Sequence, residues 1–189
     1  MRALAMAVMG LTLAGPAAAC DVALVLAVDV SGSISPGEYT LQMQGLADAL
    51  QDPEIVQAIL HGQDALAIVQ WSGAQYQQVS LDWQTPASNG ELAALSALVR
   101  TIKRPDNYTS TAIGQGIDAS LALLAKAPRC DRQVIDVSGD GKENDGMTLA
   151  KARLRAMAAG VTVNGIAIEV DKGTFSLTDY YEALVRTRE

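Results

Sequence analysis

The sequence predicts an α/β fold built on a mainly parallel sheet, and three observations carry that prediction. Strand-like and helix-like segments alternate along the chain with no low-complexity linker and no internal repeat. The first strand segment, residues 21–29 (DVALVLAVD), is almost wholly apolar between its two acids, as expected of a central strand covered on both faces. A length of 189 residues is that of one domain.

Each element then follows in order. Ser35-Pro36-Gly37-Glu38 supplies a cap, a first-turn proline and an early acid, so a helix runs from there to about residue 51. Asp52-Pro53-Glu54 restarts a short helix with apolar Ile55, Val56 and Ile59. Residues 65–71 (ALAIVQW) form a second buried strand, and residues 77–83 (QQVSLDW) alternate as a half-exposed edge strand does. The residues between them, 72–76, make a connection of hairpin length, so the third strand is expected antiparallel to the second. A helix over 89–102, a polar loop over 103–110 and a helix over 111–126 follow. Then come a strand over 132–138, a helix over 145–159 stopped by Gly160, the last clear strand over 161–169 and a helical segment over 176–186.

Composition narrows the function. With 14 Lys plus Arg against 21 Asp plus Glu the net charge is −7, and 49% hydrophobic residues argue against disorder. An acidic chain without a Lys/Arg run repels phosphate backbones, so nucleic acid is disfavoured as a partner. Residues 1–19 read as a bacterial secretory signal: Arg2 in the n-region, a short apolar stretch, and an Ala-x-Ala site that places cleavage after Ala19. The apolar run is too short to span a bilayer. Residues 20–189 are then the mature domain, and the expected location is the periplasm or the exterior. A lipoprotein is the weaker alternative, because Ala17 stands where lipoprotein signals usually carry Leu. The two cysteines, Cys20 and Cys130, each precede a strand. In an oxidising compartment a disulfide is the default, and parallel neighbouring strands would start about 5 Å apart, close enough to bridge. Free thiols, or a lipidated Cys20, are the other options.

In open α/β sheets ligands bind beyond the carboxyl ends of the strands. Two acids sit there: Asp29, followed by Ser31 and Ser33 in Asp29-Val30-Ser31-Gly32-Ser33, and Asp140 in Ser138-Gly139-Asp140-Gly141. The polar loop between them carries Thr109 and Thr111 where a helix begins. Carboxylates and hydroxyls are hard oxygen ligands suited to Mg²⁺, with Mn²⁺ as a substitute, while one His and two cysteines supply zinc or copper poorly. For Asp29, Ser31 and Ser33 alone, an Asx/Ser turn that caps the next helix is an equally good reading.

The pattern Asp-x-Ser-x-Ser, then a Thr, then an Asp resembles the metal-ion-dependent adhesion site of von Willebrand factor type A domains. The segments LAVDVSGS, NYTSTAIGQGI and VIDVSGDGKEN are similar to those of secreted bacterial members of that superfamily. The resemblance implies a three-layer α-β-α, Rossmann-like domain with one antiparallel edge strand. It implies Asp29, Ser31, Ser33, Thr109 and Asp140 as the Mg²⁺ ligands, Thr109 matching because the family uses the first Thr of its Thr-x-Thr. It also implies a partner protein whose exposed Glu or Asp completes the metal shell. Such domains usually carry a further strand and helix after the segment matching residues 161–169, for which this chain has little length.

Other residues invite chemistry less strongly. His61 closes a helix and has no Gly-x-Ser-x-Gly elbow to serve. Asp136 is either a group behind the site or a structural carboxylate. Residues 143–145 read as a solvated loop, Trp71 and Trp83 as packing residues, and Asn107-Tyr108-Thr109 as an incidental glycosylation match. The expected function is an exported, metal-dependent protein-binding module rather than an enzyme. The alternatives are a Mg²⁺-dependent phosphate-ester hydrolase, which needs a general-acid Asp where Ser31 stands, and a structural envelope subunit with a vestigial site.

Overall fold

A computed structural model describes residues 20–106, 110–168 and 176–187. Residues 1–19, where the sequence suggests a secretory signal, residues 107–109, which include Thr109, and residues 169–175 and 188–189 therefore lie outside the described residues. Five strands form one sheet in the order β3-β2-β1-β4-β5: β1 Cys20–Asp29, β2 Ala65–Trp71, β3 Gln77–Gln84, β4 Cys130–Gly139 and β5 Thr162–Ala167. β1 pairs in parallel with β2 and β4, and β4 with β5. β3 runs antiparallel to β2, as the short connection requires. The strand order reverses at β1, so the open edge beyond β1 and β4 is the switch point where α/β folds place their sites.

Helices cover both faces. α1 (Pro36–Ala49), α2 (Pro53–Gly62) and α3 (Asn89–Val99) belong to one side, where Tyr39, Met43, Ile59, Leu92 and Leu95 pack against Val28, Leu66 and Ile68. α4 (Ile113–Leu124), α5 (Leu149–Ala158) and α6 (Leu177–Tyr180), which continues as a π-helical turn over Tyr181–Val185, lie on the other with Ala23, Val25, Ala27, Ile135 and Val137. Alternation along β1 assigns its residues to the two layers, and Asp29 continues the Val25 and Ala27 series. The small residues Ala23, Ala27 and Ala67 leave room for α4 to lie close. Gly116 of α4 is packed so tightly that a Cβ there would sit 2.8 Å from Trp71 Cγ. Beyond the π-helical turn the chain reaches the free edge of β5, where Thr187 N–H donates to Val163 O (3.0 Å) and Val163 N–H to Thr187 Oγ1 (2.9 Å).

The start of α1 is fixed by a reciprocal cap. Glu38 N–H donates to Ser35 Oγ and Ser35 N–H to Glu38 Oε2 (2.7 Å). α5 begins at Leu149, not at residue 145 as the pattern predicts. Gly146 (φ 71°) and Met147 (φ 48°) take left-handed backbone, which cannot belong to the helix. Cys20 and Cys130 face each other in the β1–β4 register and form a disulfide, Cα–Cα 4.3 Å. Among the described residues no helix is long and apolar enough to cross a membrane.

Candidate metal centre

The chain leaves β1 at Asp29 and turns at once, with Ile34 N–H donating to Ser31 O (3.1 Å). That turn folds Ser31 and Ser33 back over the strand end. Ser31 N–H donates to Asp29 Oδ1 (2.6 Å), the Ser31 and Ser33 hydroxyls are 3.1 Å apart, and Ser33 Oγ donates to Asp140 Oδ1 (2.5 Å). Four of the five residues singled out in the sequence are thus one contiguous oxygen cluster, with Asp29 and Ser31 buried and Ser33 open to solvent. Thr109, the fifth, lies outside the described residues. Thr111 stands beside the cluster: a Cβ on Gly141 would be 3.4 Å from Thr111 Oγ1 and 4.0 Å from Ser33 Oγ.

The electrostatics of this cluster call for a cation. Asp29 Oδ2 is buried and accepts no hydrogen bond in the structure. Burial is the largest influence on this carboxyl and, with the nearby charge of Asp140, pushes its pKa to about 6; the bonds from Ser31 pull the other way. An ionised carboxylate in that position lacks a counter-charge, and a divalent ion at the mouth of the cluster would supply it. The donors fit a hard ion. Among the described residues no group of three or more His, Cys, Asp or Glu that could hold a metal comes together, at this cluster or elsewhere, and the cluster offers two carboxylates and hydroxyls.

Several residues that the sequence pattern passed over hold this geometry. Arg104 Nη2 donates to Ser31 O (2.6 Å) and Val30 O (3.2 Å), which fixes the outer side of the turn and sets a cation next to it. A buried network supports that segment: Gln70 Nε2 donates to Tyr39 Oη (2.7 Å) and Lys103 O (3.3 Å), Ser80 Oγ donates to Gln70 Oε1, and Tyr39 Oη donates to Ile102 O. On the opposite side, residues 143–145 are not the free solvated loop the sequence suggested. Asn144 Oδ1 accepts from Thr111 N–H, and Asp145 Oδ2 accepts from Ala74 N–H and Ser110 Oγ, all at 2.8 Å. The Ala74 N–H, with Ser110, holds the Asp145 carboxyl below its usual range. These bonds tie the loop after Asp140 to the loop that leads into α4.

Glu143 makes the third tie. Its carboxylate accepts from Gly114 N–H and Leu149 N–H, both at 3.0 Å, and so caps the first turns of α4 and α5 together. Glu143→Ala leaves two helix N–H groups unpaired at a crowded junction, where a Cβ on Gly114 would already sit 2.6 Å from Leu149 N. The expected loss is roughly 2 kcal/mol, or about 4–8 °C in melting temperature. Thermal unfolding measures it, and a loss below 1 °C would contradict the assignment.

The remaining candidates take structural places. Asn164 Nδ2 donates to Asp136 Oδ1 (2.7 Å) across the β4–β5 pair, so Asp136 is a strand-to-strand carboxylate. His61 lies in the last turn of α2. Trp71 is fully buried, and Trp83 Nε1 donates to Leu123 O (3.3 Å).

Comparison with solved structures gives the fold its class. A thread matrix protein from mussel byssus, described with a zinc-occupied metal-ion-dependent adhesion motif, aligns over 89% of this chain and 40% of its own, at 19% identity and TM-score 0.63. A von Willebrand factor type A protein from Catenulispora acidiphila aligns over 78% of this chain and 33% of its own, at 17% identity and TM-score 0.57. The pilus adhesin SpaC from Lactobacillus rhamnosus GG aligns over 77% and 24%, at 14% identity and TM-score 0.58. The chain thus spans well under half the length of these proteins. The molecule has the von Willebrand type A fold, with the oxygen cluster at the switch point of its sheet. More narrowly, residues 19–189 match the family described as "Protein of unknown function (DUF1194)", and the chain belongs to it. Comparison with curated proteins gives no match.

Proposed function

We propose that this protein is an exported binding module in which Asp29, Ser31, Ser33, Thr109 and Asp140 hold Mg²⁺, and the ion takes an exposed Glu or Asp of a partner protein. The observation that carries this reading is the buried, unpartnered Asp29 Oδ2 at the end of a chain of hydroxyls leading to Asp140. With only two carboxylates in the set the ion stays electrophilic, and an incoming carboxylate gains a strong bond. Mn²⁺ satisfies the same hard oxygen set.

The reading is one of binding and not of catalysis, because position 31 is a buried serine whose N–H is committed to Asp29, where a hydrolase would need a general acid. Partner attraction has to overcome a net charge of −7, and Arg104 beside Ser31, together with the ion, provides the local positive field. Export with cleavage after Ala19 agrees with the Cys20–Cys130 disulfide, which leaves the Cys20 sulfur no valence for a lipid thioether.

The test uses water-proton relaxation of the Mn²⁺-loaded protein, titrated with a decapeptide carrying one central Glu and with its Gln counterpart. A carboxylate that displaces water from the ion lowers the relaxation enhancement with the Glu peptide only. Equal responses to the two peptides, or none, would overturn the acidic-partner reading.

A further inference from the structure

Tyr181 begins the π-helical turn that follows α6, more than a hundred residues from either end of the Asp-x-Ser-x-Ser motif, and its side chain reaches the oxygen cluster through two gaps in the sheet surface. The first gap is Gly165 of β5, where a Cβ would sit 3.0 Å from Tyr181 Cδ1 and 3.2 Å from Tyr181 Cβ. The second is Gly139 of β4, where a Cβ would overlap Tyr181 Oη and lie 2.8 Å from Asp29 Oδ2. The space of one missing methyl thus separates a buried phenol from a buried carboxylate oxygen that accepts no hydrogen bond. Tyr181 Oη also has Gly141 O within 3.4 Å, a long contact to the loop that carries Asp140. One hydroxyl therefore stands between the two acid-bearing loops.

Tyr181 is 1% exposed. A tyrosine buried at that depth normally spends its O–H on a short hydrogen bond, and Gly141 O at 3.4 Å is a poor acceptor. Both glycines are needed: a side chain at either position would push the ring away from the site.

We propose that Tyr181 is a positioning residue for the metal centre: its hydroxyl donates to Asp29 Oδ2, fixes that carboxylate's rotamer, and leaves the carboxylate aimed at the cation. The proposal rests on the metal reading above for its effect on affinity, whereas the approach of Tyr181 Oη to Asp29 Oδ2 across Gly139 is a property of the metal-free structure, in which the bond itself is not yet made. Groups that orient metal ligands in this way are worth about a factor of ten or more in affinity when removed.

Two measurements on the oxidised chain test this, with Tyr181→Phe as the variant because it removes one oxygen and keeps the ring on Gly165. In the first, Mn²⁺ affinity is read from the electron paramagnetic resonance signal of free ion. Tyr181→Phe is expected to weaken binding about tenfold, and Mg²⁺ addition to wild type is expected to give a tyrosine ultraviolet difference spectrum that the variant lacks. The second, in EDTA, compares thermal unfolding of wild type, Tyr181→Phe, Asp29→Asn and the double variant. Tyr181→Phe should lower the melting temperature by about 3 °C in wild type and by less than 1 °C in the Asp29→Asn background. Equal Mn²⁺ affinity in wild type and Tyr181→Phe overturns the positioning role. Additive melting shifts overturn the pair, and a merely space-filling tyrosine would give both of these results. Absence of Mn²⁺ binding in wild type overturns the metal reading instead, and the EDTA comparison then decides the Tyr181–Asp29 pair alone.

Discussion

Asp29→Asn is expected to raise the melting temperature of the metal-free protein at pH 8 by roughly 5 °C and to abolish its response to Mg²⁺. The reason lies in the burial of the carboxylate. Asp29 has a pKa of about 6 in the folded chain against 3.8 ordinarily, with burial the main cause, so the folded state holds this proton more tightly than the unfolded state does. Its contribution to stability is full below about pH 4 and is lost as the pH rises through 6, a swing of about 3 kcal/mol. Asparagine keeps an acceptor for Ser31 N–H and replaces the buried charge with a neutral amide, recovering most of that loss. Other carboxyls, Asp145 and Glu38 among them, are held low and contribute the opposite slope, so the informative quantity is the difference between variant and wild type at each pH. With Mg²⁺ present, wild type should gain stability as the pH climbs through about 6, where the proton ceases to compete for the carboxylate. Thermal unfolding at pH 5, 6.5 and 8, in EDTA and in millimolar Mg²⁺, measures both effects. A variant less stable than wild type in EDTA at pH 8 would show that Asp29 is already neutralised.

Removal of the disulfide has the other large effect. Cys20 and Cys130 are 110 residues apart in sequence and close the starts of β1 and β4. Loop-entropy arguments put the contribution near 4–5 kcal/mol, so Cys20→Ala/Cys130→Ala should melt about 10 °C lower. The same two strands carry Asp29 and lead into Asp140 at their other ends, yet their ladder remains paired from Val22 to Val28 without the bridge. Mn²⁺ affinity, measured well below the new transition, is therefore expected to change less than twofold. A large loss of affinity in the folded variant would mean that the bridge, and not the ladder, sets the register of the two acids.

The legible part of this fold was local or strictly periodic. Residues 21–29 announce a buried central strand by composition, Ser35 to Glu38 announce a helix start by their cap, and the short connection between Trp71 and Gln77 dictates an antiparallel hairpin. Asp29, Ser31, Ser33 and Asp140 are singled out through the resemblance of their pattern to a metal-ion-dependent adhesion site, since the spacing of the first three fits a helix-capping turn equally well. What escaped depends on contacts distant in sequence. Residues 143–145 look like a polar loop until Gly114, Thr111 and Ala74 supply their donors, and no periodicity encodes those pairings. The helix expected over 145–159 starts only at Leu149, because the left-handed backbone at Gly146 and Met147 cannot belong to it. Arg104 and Tyr181 lie in segments with no motif, and their roles follow only from the sheet edge bringing them to Ser31 and Gly139. The glycines at 139 and 165 are the nearest thing to a sequence signal for Tyr181, since each leaves a gap that a large side chain from elsewhere fills.

The most direct measurement of the central claim is a Mn²⁺ titration of the oxidised protein at pH 8, followed by electron paramagnetic resonance of the free ion, with Asp29→Asn and Asp140→Asn as comparisons. The expected result is one ion bound per chain, displaced by Mg²⁺ and lost in both variants. A free-ion signal in wild type equal to that of buffer, or binding that survives in both variants, would contradict the metal centre.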